Sequence, residues 1–199
     1  MEVSTEEKII QAAEKIFVRD GFDGARMQDI ANEAEINKAL LHYYFRSKEK
    51  LFEHILQRKM KDFIPRIQAV LRKEMSVMDK LEGIVDGYLR MLSQNPRLPI
   101  FLLYSTYRNP AIMQHMPHEI FRDLIAFIDD AIQKKQLKKL DPSQFLLSLL
   151  GMCFFPFVAW PVASHMLEKS ESEYVAFLKG RKVEIMKVIR ELAYETDSS

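Results

Sequence analysis

The sequence predicts an all-α protein, with an N-terminal three-helix domain containing a helix-turn-helix, joined by a long helix to a larger C-terminal helical domain. Three observations carry this reading. Proline is absent before Pro65, and glycine occurs in that stretch only as Gly21 and Gly24. No run of alternating β-branched residues occurs anywhere, and apolar residues recur at three- and four-residue spacing in segment after segment.

The elements follow in order. Ser4-x-x-Glu7 has the spacing of a capping box, and Ile9, Ala13, Ile16 and Phe17 then share one face, so a first helix runs from Ser4 and stops before the GFDG of residues 21–24. A short helix follows across RMQDIANEA. After the break at Glu35-Ile36, Asn37 caps a second short helix through KALLHYY. Two short helices with a tight break between them read as a helix-turn-helix over about 26–45. Ser47 caps the next helix, in which Phe52, Leu56, Met60, Phe63, Ile67 and Val70 predict one long element to about Lys73. Pro65 lies within it, and is either a static bend or part of a moving joint. Ser76 opens a helix ended by Asn95-Pro96. Another spans roughly Leu98 to Arg108, a loop follows through Asn109-Pro110, and a further helix runs from about Pro117 to Lys138. Asp141-Pro142 is a helix start, with a capping carboxylate and a proline whose missing N–H costs nothing at the first position. The last helix begins near Ser170-x-x-Glu173 and carries Val175, Leu178, Ile185, Ile189 and Leu192 on one side, with Ile189 expected to face outward.

Composition narrows the functional classes. At 199 residues, 48% hydrophobic and 29% charged, the chain is long and apolar enough to bury a core and is not a disordered polymer. A single cysteine, Cys153, cannot staple a secreted fold or build a Cys-based zinc site, and the acidic opening MEVSTEEKII lacks the basic and then apolar pattern of an export signal, so the expected compartment is the cytoplasm. Net charge is +1, too near zero to argue for nucleic acid from the overall balance. Residues 36–61, however, carry 7 basic and 2 acidic side chains, a positive island of +5.

That island coincides with a motif. Ile9-Ile10, Ala12-Ala13, Phe17, Gly21-Phe22, Ile30-Ala31, Ala34, Ile36-Asn37-Lys38, the run Leu41-His42-Tyr43-Tyr44-Phe45, Ser47-Lys48-Glu49 and Leu51 stand in register across residues 5–51. In these positions the sequence resembles the DNA-binding domain of the TetR family of bacterial transcriptional regulators. A recognition helix needs donors at its N-terminal end and basic groups near flanking phosphates, and Lys38, His42, Tyr43, Tyr44, Arg46 and Lys48 supply them. Lys48 follows the Ser47 cap, so its ammonium and the free N–H groups of that helix end are placed to address one phosphate. The resemblance implies phosphate contacts by Tyr44 and Lys48, major-groove positions at Lys38, Ala39 and Tyr43, and a base-reaching position at Gln28. Asn37 caps its helix and also stands near phosphate, while Leu41 and Phe45 belong to the core.

Three positions depart from the family pattern. Glu35 replaces the usual turn glycine, so it either adopts a left-handed conformation at about 1–2 kcal/mol or opens the turn. Arg26 stands where a capping Thr is common. His42 replaces a frequent Tyr, giving a shorter, titratable contact.

The resemblance implies a division into a DNA-binding domain over 1–47 and a ligand-binding and dimerisation domain over 48–199. Pro142–Leu167 holds 26 residues without Asp, Glu, Lys or Arg, long enough to span a bilayer. Pro156, Pro161 and several polar residues oppose that reading. A helix buried on one face by the core and on another by a dimer partner has the same composition. Phe63, Tyr88, Met91, Phe101, Tyr104, Phe121, Phe127, Met152, Phe155 and Trp160 are either core or the lining of an apolar pocket, with Tyr88, Tyr104, Tyr107 and His165 as polar groups. His115 and His118 have a metal-like spacing without further ligands and read as a surface loop. No phosphate loop, nucleophile elbow or carboxylate pair occurs, so the expectation is a non-enzymatic regulator with no cofactor and no metal. Its expected partners are double-stranded operator DNA, a small effector and a second copy bound through the last two helices, without a membrane. The competing readings are a membrane-anchored helical protein and a helical interaction module without DNA affinity.

Overall fold

A computed structural model describes residues 4–96, 98–108 and 118–192, which hold eleven α-helices and no strand. The chain divides into two compact units, one of residues 1–62 with 101–116, the other of residues 63–100 with 117–199.

The first unit is built on α1 (Thr5–Gly24), α2 (Met27–Glu33), α3 (Lys38–Tyr44) and the opening turns of α4 (Lys48–Arg72). Ser4 Oγ accepts the Glu7 N–H at 3.2 Å, but the expected reciprocal half of the capping box is absent, because the Glu7 carboxylate is taken by Arg58 of α4 at 2.5 Å. Two further pairs, Lys59 with Glu14 at 2.9 Å and His54 with Glu6 at 3.4 Å, join the same helices. Ile9, Ala13, Ile16 and Phe17 of α1 are buried with Ile30, Ala31, Leu41, Phe45, Leu51, Phe52, Ile55 and Leu56. Backbone geometry breaks α1 at Gly21 (φ 72°), a conformation that favours glycine. Glu35 takes the left-handed alternative at φ 55°, and Ile36 N donates back to Ala31 O at 3.0 Å, so α2 ends in a Schellman turn without its glycine.

In the second unit, the remainder of α4 is followed by α5 (Val77–Gln94), capped by Ser76 Oγ accepting from Asp79 N at 3.1 Å. Gly83 and Gly87 let α4 lie close: a Cβ at Gly83 would stand 3.1 Å from Val70 Cγ1, and one at Gly87 3.3 Å from Ile67 Cδ1. The division between units falls within α6 (Leu98–Arg108), and the expected loop at 109–117 lies outside the described residues. Helix α7 (His118–Gln133) ends five residues earlier than expected, because Lys135 turns left-handed (φ 56°) and Gln136 N closes onto Ala131 O at 2.8 Å.

The uncharged stretch is two helices, α8 (Pro142–Val158) and α9 (Trp160–Met166), bent by 79°. No single described helix is long and apolar enough to cross a membrane. Asp141 Oδ1 caps α8 by accepting from Gln144 N at 2.8 Å. Within α8, Pro156 cannot donate to Met152 O, and Arg181 Nε does so instead at 3.2 Å. At the bend the buried Tyr174 hydroxyl donates to Pro156 O at 2.7 Å.

The last helix is also two, α10 (Glu171–Lys179) with the full Ser170–Glu173 capping box, and α11 (Arg181–Arg190) beyond Gly180. This break corrects the expected apolar face. Ile185, Met186 and Ile189 are fully buried against α5 and α8 residues of the core, so Ile189 faces inward, whereas Val175 is exposed. The exposed apolar side chains of α11 are Val183 and Val188.

Candidate nucleic-acid interface

Helix α3 starts where Asn37 Oδ1 accepts the Leu40 N–H at 2.8 Å and ends where Phe45 leaves helical geometry. Leu41 and Phe45 are buried and fix it to the core, as expected of them. The helix therefore turns Lys38, Ala39, His42, Tyr43 and Tyr44 to solvent. Tyr43 is 81% exposed and meets Tyr44 edge to face at 5.6 Å. His42 Nδ1 lies 3.3 Å from Arg46 O. On α2, Gln28 is exposed and its amide donates to Asn32 Oδ1 at 3.0 Å. Arg26, at the N-cap of α2, makes no side-chain cap bond. The exposed α3 face thus carries the Lys38 ammonium, the His42 ring and an aromatic pair, side chains able to donate hydrogen bonds outward.

The Lys48 side chain lies on the α1–α2 turn. Its ammonium donates to Phe22 O at 2.6 Å and Ala25 O at 3.0 Å, with Asp23 O at 3.5 Å, and stands 4.3 Å from the Phe22 ring centre. Sequence reasoning missed this. The available signal was α1 itself, which has no basic residue in its last turn to answer its C-terminal carbonyls.

The apolar set of the second unit is brought together in part. Phe63, Tyr88, Met91, Phe121, Phe127 and Met152 pack against its buried core, with the Phe63 and Tyr88 rings 5.8 Å apart. Burial pushes the Tyr88 phenol above its usual range, and the neighbouring Cys153 adds to the shift. Phe155 is instead 66% exposed, because the core face of α8 is set by Leu149, Cys153 and Phe157, which leaves residue 155 on the far side. Trp160 packs on Tyr174 at 4.7 Å. Tyr107 and His165 are exposed and do not join this set. The side chains of Phe101 and Tyr104, and all of His115, lie outside the described residues, and among those described no cluster of metal ligands occurs.

A helix-turn-helix on a small helical unit, followed by a larger helical unit, is an architecture that DNA-binding transcriptional regulators use. The profile described as "Bacterial regulatory proteins, tetR family" matches residues 9–55. The probable HTH-type transcriptional regulator YttP of Bacillus subtilis is 24% identical, covering 96% of each chain. The HTH-type transcriptional repressor SCO4008 of Streptomyces coelicolor is 29% identical over 74% of each. Among solved structures, the transcriptional regulator FadR from Bacillus subtilis in complex with stearoyl-CoA superposes with a TM-score of 0.68 at 19% identity, covering 90% of this chain and 96% of that one. The last likeness is one of fold. Over residues 9–55 the chain is similar to the bacterial regulatory proteins of the tetR family.

Proposed function

We propose that the protein is a repressor that holds a palindromic operator as a homodimer and releases it when a small, largely apolar molecule binds its larger domain. The observation that carries this reading is the solvent-facing set Lys38, Ala39, His42 and Tyr43 on the Asn37-capped α3, inside the segment that matches the family. In this reading Lys38, Ala39, Tyr43 and Gln28 meet base edges, while Tyr44, Lys48, Asn37 and His42 settle the helix on the backbone. The functional division falls at residues 47 and 48, and the protein works in the cytoplasm.

Dimerisation through the helices beyond Pro142 is supported by large apolar side chains left in solvent on α8 to α11, among them Leu147, Phe155, Val183 and Val188. A two-fold dimer sets its recognition helices about 34–36 Å apart, or farther by whole turns. An apolar effector suits the Phe63, Tyr88 and Met91 surroundings, and the stearoyl-CoA held by the FadR structure makes a long-chain acyl-CoA the first molecule to try. The effector shifts DNA binding only by favouring the released state, and α4, which is one continuous helix through Pro65, is the element for that change. The test is a mobility shift of the duplex flanking the protein's own gene, with and without stearoyl-CoA. A retarded, salt-sensitive complex on a palindrome that dissolves with the acyl-CoA is expected. Equal affinity for any duplex overturns the operator reading, and a complex that persists overturns the acyl effector.

A further inference from the structure

We infer that this chain takes up a proton from solvent at His42 when it binds DNA, so that its hold on a duplex tightens as pH falls through the imidazole range. This rests on the DNA-binding reading above, which sets His42 against the backbone, and concerns the charge state in which α3 engages.

His42 stands in the last turn of α3, exposed to solvent, and its Nδ1 lies 3.3 Å from Arg46 O in the turn beyond. A carbonyl oxygen only accepts, so this bond requires the proton on Nδ1. A neutral imidazole has a single N–H, and with Nδ1 carrying it Nε2 is left as a bare lone pair. A phosphate oxygen is likewise an acceptor. The neutral ring therefore meets a phosphate lone pair to lone pair, or turns its one proton outward and gives up Arg46 O. Only the imidazolium has two donors. It serves both acceptors at once, and its bond to phosphate is charge-assisted.

The charges along the chain act in the same direction. Lys38 stands one turn before His42 and Arg46 four residues after it, so a further positive charge between them is unfavourable in the free chain. Among the described residues no hydrogen bond or ion pair reaches the ring from α1, α2 or α4, and no carboxylate pairs with it. A polyanion supplies the missing counter-charge. The DNA-bound state thus holds the proton more tightly than the free state. The added affinity is complete below the pH at which the free ring titrates, and is lost as pH rises through the titration of the bound ring. His54, the other described histidine of this unit, differs in having its partner inside the chain: its Nε2 lies 3.4 Å from Glu6 Oε1 and its ring 5.3 Å from that of Phe45.

The experiment uses the whole chain and a mixed-sequence DNA duplex. The ratio of wild-type affinity to that of His42→Gln, whose amide donates but does not titrate, is expected to fall about five- to tenfold from about pH 5.5 to about pH 8.5. His54→Gln should follow the wild type. Calorimetry in buffers of different ionisation enthalpy should show proton uptake on binding at about pH 7 that vanishes in His42→Gln. In the free wild type at alkaline pH, imidazole nitrogen chemical shifts should place the His42 proton on Nδ1. An affinity ratio that stays constant with pH overturns the inference and leaves the DNA-binding reading standing. So does proton uptake that survives in His42→Gln or disappears in His54→Gln, or a free-state proton on Nε2. A wild type that binds no duplex at either pH overturns the DNA-binding reading and the proton link with it.

Discussion

Arg181 Nε donates to Met152 O at 3.2 Å, occupying the place in the α8 ladder that the proline ring of residue 156 leaves without an N–H. A helix with an internal proline normally surrenders one bond. Here a side chain 29 positions away restores it. Arg181→Met is expected to destabilise the fold by about 1–3 kcal/mol, the cost of leaving a carbonyl unsatisfied in a half-buried helix. In a Pro156→Ala background, which returns the backbone donor, the same substitution should cost markedly less. Urea unfolding of the four variants measures the coupling, and an equal penalty in both backgrounds would show that the bond carries no weight.

Among the described residues, three helices end on left-handed residues that are not glycine: Glu35 (φ 55°), Lys135 (φ 56°) and Glu168 (φ 50°). Each turn is closed by a bond from the following residue, Ile36 to Ala31, Gln136 to Ala131 and Lys169 to Ser164. Glycine at any of the three removes Cβ strain worth about 1–2 kcal/mol and gives part of it back through a more flexible unfolded chain. Glu35→Gly should therefore raise stability by about 1 kcal/mol in thermal or urea melts, with DNA affinity retained.

On the α3 face, Lys38→Ala and Tyr43→Ala remove exposed groups outside the buried core, Tyr43 giving up only its edge contact with Tyr44. The melting temperature should stay within a degree or so, whereas discrimination between operator variants should fall by about 1–3 kcal/mol at the affected base pair. Uniform weakening on every variant would move the residue to the phosphate class.

For α11, substitutions at neighbouring positions should diverge. Val183→Glu and Val188→Glu lie in solvent at 57% and 54% exposure, so each should fold and sediment as a monomer with weak operator binding. Ile189→Glu buries a carboxylate in the core and should cost about 4 kcal/mol or more, abolishing the cooperative melt. A dimer retained by both valine variants places the interface on other helices.

Cys153 is fully buried, and burial pushes its thiol up to about 12, only partly countered by the nearby Arg181. The native thiol should resist alkylation at pH 8 and react at once in urea. Since the folded state disfavours the thiolate, its contribution to stability is complete below the unfolded thiol's range of about 8.5. It is lost as pH rises from there through about 12. Alkaline melts of Cys153→Ala and the parent should converge over that window.

The sequence made legible those features whose cause is local. Asn37, Ser76, Asp141 and Ser170 were read as caps because a cap is one side chain and an N–H three residues on, and all four hold. The exposed α3 face was legible for the same reason, as were the buried Leu41 and Phe45 within it. Periodicity failed where its phase was reset: carrying the apolar face from Val175 and Leu178 across Gly180 assigned Ile189 to the wrong side. Lys48 on the α1 carbonyls and Arg181 on Met152 depend on groups more than twenty positions away, which spacing does not encode.

Where α5 meets the later turns of α4, Val70 and Ile67 rest almost on bare backbone at Gly83 and Gly87. The distance between the two helices is accordingly gauged by the absence of two methyl groups. One alanine at Gly83 would act as a shim a few tenths of an ångström thick between α5 and Val70 of α4. These two positions are a set screw for the α4–α5 spacing: a graded series of small side chains there steps the two helices apart by tenths of an ångström.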